Sequence, residues 1–415
     1  MIKLLVIADD FTGALDTGVQ FAGKGIATKI LNQRTVTREQ LSSVDKEVLV
    51  IDTETRHLKP EAAYGIVYAL AKMAKEAGVT YLYKKTDSGM RGNIGPELWA
   101  ALEASGQPYL TFIPAFPAIN RVTKNGIHYI NGLPVQESVF GQDPYDPVKT
   151  SKVSELFENI PADVALYSRG ETVRKGKSPE IGIFDVETNE DIGKITEALL
   201  KDKTMGVMAG CAGFASVLAD HLELKKGFLF NPAVTKKLFI ACGSVNGVSR
   251  KQIEYAEDKG VKRITMTPEQ QFSQGYLDSE EGRRWLEGLK KICDSGQTCV
   301  LETGISDTGA VETYMQEKRI PLETARVRIA DSLGNVVKNL LDMGMEATVM
   351  IIGGDTLNSF FHEIDCHEIT ICKELSQGTV LSSINLNRGR QWIISKSGGF
   401  GSPELLTDIE QMITG

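Results

Sequence analysis

The chain has 415 residues, 42% of them hydrophobic and 24% charged, and a net charge of −8. That length exceeds what one hydrophobic core supports, so two domains of ordinary globular composition are expected. The acidic balance excludes nucleic acid and anionic membranes as partners, since both need a basic surface, and still permits a local basic pocket.

The opening MIKLLVIADDFTG does not read as a signal peptide, because its short apolar run is broken by Asp9 and Asp10. Apolar stretches such as Thr348–Ile352 fall far short of the roughly 20 residues that span a bilayer. A soluble, cytoplasmic protein is expected. Along the chain, short apolar runs alternate with helical patterns, the signature of βα units around a mostly parallel sheet. Lys3–Ala8 is read as a strand and Gly13–Lys24 as a helix. Glu47–Asp52 follows as a strand, Glu61–Ala77 as an amphipathic helix, Val79–Lys84 as a strand, Gly95–Ser105 as a helix and Tyr109–Ile113 as a strand. Pro114–Pro147, with five prolines, breaks the rhythm and reads as a long irregular segment. Strands resume at Val164–Tyr167, Ile181–Asp185 and Thr204–Ala209.

The segment Lys225–Lys237 marks the expected boundary, giving domains 1–230 and 231–415. Leu238–Cys242 then opens a second α/β alternation, with strands near Arg263–Met266, Thr298–Glu302, Thr348–Ile352 and Gln391–Ser395. The expected fold is therefore two α/β domains, each a mostly parallel sheet flanked by helices. Six scattered cysteines without a CxxC pair read as reduced thiols. His362, Cys366 and His367 have metal-compatible spacing but no second ligand pair, so a polar turn is the better reading and no metal ligand is assigned.

Six motifs fall where strands end, which is where ligands bind in open α/β sheets. Asp9 and Asp10 could bind hydroxyls or accept a proton, although a helix cap with an acidic first turn would explain one of them. Arg56 follows the second strand and could grip a carboxylate through its planar fork; a surface ion pair is the plainer alternative. Lys85, Thr86, Asp87, Ser88 and Arg91 crowd cations, a carboxylate, hydroxyls and glycines into one loop, a composition suited to a small, hydroxyl-rich anion. In the second half, SKSGGFGSPELL places Gly398 and Gly399 in a glycine turn, with Ser402 expected to cap a helix that starts at Pro403, an anion site by geometry and dipole. Gly353, Gly354, Asp355 and Thr356 form another such turn, and Ser244 lies in a third. No GxxxxGK[ST] and no early GxGxxG occurs, which argues against a Walker loop and a dinucleotide site.

ADDFTGALDTG, KTDSGMRGNIG, GGDT and KSGGFGSPELL, in that order over nearly the whole chain, resemble the four-carbon acid sugar kinases. The resemblance implies an N-terminal domain that binds the sugar acid, a C-terminal domain that binds ATP, and an active site between them. It implies phosphorylation of the 4-hydroxyl of D-threonate, D-erythronate or 3-oxo-tetronate in acid-sugar catabolism. Asp9, Arg56 and Lys85 to Ser88 would contact substrate; Ser244, Gly353 to Thr356 and Gly399 would contact ATP. Mg²⁺ would bridge phosphate oxygens, and Asp87 or Asp9 would act as base. The expected partners are an acid sugar and ATP; a homo-oligomer is compatible with the sequence. Two other classes fit less well: a nicotinamide-dependent oxidoreductase, and a sensor that binds these ligands without catalysis.

Overall fold

A computed structural model gives the fold and describes residues 2–143, 147–171, 173, 179–227, 233–304 and 308–415. Residues 144–146 of the proline-rich segment and 228–232 of the boundary segment lie outside the described residues. The chain divides into two compact units, Met1–Leu229 and Phe230–Gly415.

The first unit opens with β1 (Leu4–Ala8), α1 (Phe11–Ala22), β2 (Thr28–Asn32), a short α2 (Arg38–Ser43), β3 (Val48–Asp52), α3 (Pro60–Glu76), β4 (Tyr81–Lys85), α4 (Ile94–Ser105) and β5 (Tyr109–Ile113). It continues with a small antiparallel sheet of β6 (Arg121–Lys124), β7 (Ile127–Ile130) and β8 (Leu133–Pro134). β9 (Asp163–Tyr167), β10 (Glu180–Phe184), α5 (Asn189–Lys201), β11 (Val207–Gly210) and α6 (Ala212–His221) complete it. The main strands lie in the order β2-β3-β1-β4-β11-β5-β10-β9 and pair in parallel throughout. β1 and β3 are buried along their full length. Continuous apolar runs such as LLVIA are what a sheet covered by helices on both faces requires.

The small β6–β8 sheet corrects the expectation of an irregular Pro114–Pro147 segment. Its strands are joined by Asn125-Gly126 and Asn131-Gly132, all with positive φ, which are the hairpin turns Asn-Gly favours. β2 is likewise a strand that the apolar pattern of the sequence does not mark. Thr28–Asn32 carries the polar Lys29 and Asn32, so its periodicity alone is weak.

The second unit contains β12 (Leu238–Cys242), α7 (Gly247–Asp258), β13 (Lys262–Thr265), α8 (Pro268–Phe272), α9 (Glu280–Asp294), β14 (Cys299–Glu302), α10 (Thr308–Lys318) and α11 (Leu322–Asp342). β15 (Thr348–Ile352), α12 (Gly354–Glu363), β16 (Glu368–Ser376), β17 (Thr379–Leu386), β18 (Gly389–Lys396) and α13 (Leu405–Thr414) follow. β13, β14, β12, β15 and β18 pair in parallel, while β16, β17 and β18 form an antiparallel meander. The meander was not anticipated, although the tight turns at Gly378 and Gly389, both at positive φ, mark its corners.

Candidate functional site

In the first unit the order β3-β1-β4 sets three motifs side by side. Ala8 is in register with Asp52 on one side and Lys85 on the other. The chain therefore leaves the sheet at Asp9, Thr53 and Thr86 along one edge, the carboxyl edge where open α/β sheets bind ligands.

The side chains form a buried network of alternating charge. Arg56 Nε donates to Asp9 Oδ2 at 2.7 Å and its Nη1 to Asp10 Oδ2 at 2.9 Å. Lys85 Nζ donates to Asp9 Oδ1 at 2.9 Å and Asp10 Oδ1 at 2.5 Å. Arg91 grips Asp87 through Nε at 2.8 Å and Nη2 at 3.2 Å, and Arg56 Nη2 lies 3.6 Å from the same carboxylate. The Arg56 side chain is 9% exposed, so the surface ion pair is ruled out. Asp10 also caps α1 by accepting from Gly13 N at 3.2 Å. The helix accordingly starts at Phe11, earlier than the expected Gly13.

Electrostatics follow from this packing. Burial opposes the charge on Asp9, but Arg56, Lys85 and Lys84 outweigh it and hold the carboxyl well below the ordinary range. Burial likewise opposes ionisation of Asp87, and Arg91 and Arg56 win. Lys85 is held charged by Asp10 and Asp9 against its burial. Asp52, at the end of β3, goes the other way: burial and the charge of Asp10 push it well above the carboxylate range.

Several contributors lie in or beside the motifs without a role that the sequence alone assigns. Gly13 is one, because a Cβ there would sit 1.8 Å from Lys85 Nζ. Lys84 points to the opposite face of β4 from Lys85 and is matched inside the protein by Glu97 Oε2 at 3.1 Å. Asn93 Nδ2 donates to Thr55 O at 3.0 Å and Leu58 O at 2.9 Å, holding the turn that carries Arg56. Arg121 donates to Ser88 Oγ, and Arg91 and Arg121 each lie 5.0 Å from the Phe140 ring. Thr86 Oγ1 is buried without a hydrogen-bond partner among the described residues. Glu54 and Met90, in the turns after β3 and β4, have φ of 49° and 67°, the kind of backbone strain that gathers at binding sites.

In the second unit β12, β15 and β18 are adjacent, with Cys242, Ile352 and Lys396 in register. Their turns begin together at Gly243, Gly353 and Ser397. The packing leaves no room for side chains: a Cβ on Gly243 would lie 2.0 Å from Thr356 Oγ1, and one on Gly398 2.1 Å from Ser244 Oγ. Gly353 has φ +113 and precedes the first turn of α12, whose amides have no intrahelical acceptor. Backbone-lined turns of this kind at a helix start can receive an anion such as a phosphate.

Three expectations change here. The last helix starts at Leu405, with Glu404 at the cap position, so Ser402 caps nothing and Pro403 is not its first residue. Instead Gln252 Nε2 holds the turn through Phe400 O at 3.0 Å and Ser402 O at 2.9 Å. The steric demand for glycine lies at Gly398, whereas a Cβ on Gly399 would meet Asn246 Nδ2 at an ordinary 3.5 Å. Asp355 is engaged by Arg326 at 2.7 and 3.1 Å on the surface, leaving Ser244, Gly353, Gly354, Thr356 and Gly398 grouped. Among the described residues no cluster of three or more His, Cys, Asp or Glu is arranged to hold a metal, and none of their helices is long and apolar enough to cross a membrane.

Comparison with known proteins agrees with this division. Residues 4–218 match the family model of a sugar-binding N-terminal domain and residues 239–406 that of a nucleotide-binding C-terminal domain. The chain is similar to a D-threonate kinase of Salmonella typhimurium, at 26% identity over the whole of both chains. It is similar to a D-erythronate kinase of Heliobacterium modesticaldum at 26% identity, covering 86% of this chain and 84% of the relative. A 3-oxo-tetronate kinase of Brucella melitensis is 32% identical over 38% of this chain and 36% of its own. In fold, the chain resembles a solved Salmonella typhimurium LT2 protein with a TM-score of 0.80 at 19% identity, covering all of both chains. A Haemophilus influenzae protein gives 0.75 at 19% identity, covering 99% of this chain and 100% of that one.

Proposed function

The chain belongs to the four-carbon acid sugar kinase family, and we propose that its strand-end charge network binds the sugar acid whose hydroxyl it phosphorylates. It is an ATP-dependent kinase; the oxidoreductase alternative is not favoured. The observation that carries the site assignment is the buried set Asp9, Asp10, Arg56, Lys85, Asp87 and Arg91, in which every carboxylate is matched by a cation. Such a network can exchange partners with a ligand that brings both a carboxylate and hydroxyls. Arg56, Lys85 and Arg91 offer donors to the ligand's carboxylate, while Asp9, Asp10 and Asp87 accept from its hydroxyls. Thr86 and Ser88 supply hydroxyl contacts beside them.

ATP supplies the phosphoryl group, and the cradle of Ser244, Gly353, Gly354, Thr356 and Gly398 would hold its phosphates through backbone amides. Gly399 and Asp355 would flank it. Mg²⁺ ordinarily binds phosphates and water with one or two carboxylates, rather than an all-protein cage. Asp87 and Asp9 are both held ionised at neutral pH and are therefore weak bases. This is adequate for phosphoryl transfer, where the proton leaves late. We place the enzyme in the cytoplasm, where ATP is abundant and its free cysteines stay reduced.

Incubation with ATP, Mg²⁺ and a panel of D-threonate, D-erythronate and 3-oxo-tetronate, followed by ADP release, tests the reading. We expect turnover with at least one acid. Binding of acid and ATP without turnover would favour a sensor.

A further inference from the structure

Lys396 closes β18 at a position where a cation is costly. It lies inside the sheet, paired with Ile352 of β15 on one side and Thr379 of β17 on the other, and is 2% exposed. Buried ammonium groups are ordinarily matched by a carboxylate, because desolvating the charge is expensive unless a partner compensates. Lys84 in the first unit follows that rule through Glu97. Lys396 does not. Among the described residues no carboxylate is paired with its Nζ, and its one hydrogen bond goes to Ser397 O at 2.9 Å. An ammonium has three donors, so two remain.

The position of this amine is informative. Ser397 is the first residue of the glycine turn, and Lys396 O accepts from Gly353 N at 3.0 Å. Lys396 therefore joins the β15 turn to the β18 turn, within the cradle of Ser244, Gly353 and Gly398. The ionisable group acting on it is the Cys242 thiol at the end of β12, with Glu302 of β14 and Arg263 of β13 beyond. Glu302 is committed to Arg263 at 3.3 Å, Thr265 Oγ1 at 2.5 Å and Gly304 N at 2.8 Å. Burial lowers the Lys396 ammonium to about 8 and raises the Cys242 thiol to about 12.

We propose that Lys396 is a polyphosphate-binding residue, donating from its buried ammonium to a phosphoryl oxygen of the bound nucleotide. The inference rests on the reading of this unit as nucleotide-binding and adds to it the cation that the backbone cradle lacks. A phosphate beside the amine restores the counter-charge, so nucleotide binding near pH 8 takes up protons. Cys242 stays neutral there and contributes nothing to the uptake.

The test is calorimetric titration of the full chain and of Lys396→Met with ATP, ADP, AMP and adenosine. We expect the variant to lose about ten- to a hundredfold in affinity for ATP, the range of one charge-assisted hydrogen bond, and to bind adenosine as the wild type does. Equal losses for ATP and adenosine would mean that Lys396 only staples the turn, and would overturn the proposal. So would an unchanged ATP affinity. Should Lys396→Met fail to fold, the wild type decides: titration at pH 8 in two buffers of different ionisation enthalpy should show proton uptake with ATP and none with adenosine. No uptake overturns the proposal. A wild type that binds none of the series refutes the nucleotide reading itself, a separate result from a variant that binds as well as the wild type.

Discussion

At the scale of single residues, the sugar-acid site depends on space as much as on charge. Gly13 leaves the volume that Lys85 Nζ fills between Asp9 and Asp10. Gly13→Ala would push a flexible ammonium aside without obstructing backbone, so function should suffer more than stability. We expect the apparent KM for the acid sugar to rise about tenfold or more, the scale of one charge-assisted hydrogen bond, with a nearly unchanged melting temperature. An unaltered KM would show that Lys85 does not meet the substrate.

Asp52 offers a second residue-scale test, through pH. Its folded-state pKa is raised by burial and Asp10, so the native protein keeps a proton that the unfolded chain releases above about pH 4. Stability is then full below that pH and declines as pH climbs toward the folded value. Asp52→Asn is neutral at every pH. Its melting temperature should gain on the wild type as pH rises from 4 to 8; a difference that stays constant with pH would mean Asp52 is ionised in the fold.

At the scale of elements, β4 shows how one strand serves two faces. Alternation sends Lys85 to the ligand network and Lys84 to Glu97 on α4, with side-chain exposures of 0% and 1% for the latter pair. Removing one member of such a pair strands a buried charge, which costs about 3–5 kcal/mol, while replacing both by apolar groups is close to neutral. Lys84→Met should therefore destabilise the protein by that amount in denaturant titration, and Lys84→Met/Glu97→Leu should recover most of it. If the double variant is no more stable than the single one, the pair is worth more than its desolvation.

At the scale of the molecule, each unit carries its own core. Leu238, Ile240, Val300, Met350, Ile352, Ile394 and Leu406 pack together in the second, all buried. We expect a fragment of residues 233–415 to fold and to bind ATP without acid sugar, as read by calorimetry. A folded fragment with no ATP affinity would mean that the cradle needs the first unit.

Strand-end acids, the Lys85–Arg91 loop and the glycine turns are legible in the sequence because they are local. Each is a strand followed within a few residues by polar or flexible groups, and chain order alone reveals it. The parallel α/β character is legible for the same reason, from apolar runs spaced by helical patterns. The β16–β18 meander was not, although its hairpins are local, because EITICKELS and TVLSSINL carry no continuous apolar run. The start of α13 was not, because the turn before it is held by Gln252, distant in sequence. The same holds for function within the site. That Asp9, Arg56 and Asp87 form one network follows only from the order β3-β1-β4, which brings residues up to 78 positions apart to a single sheet edge. Gly13 and Glu97 gain their meaning from Lys85 and Lys84, and Lys396 from the carboxylate it does not have. Composition and motif select the residue types; burial, a property of the folded chain, decides which charges need partners and which are left for a ligand.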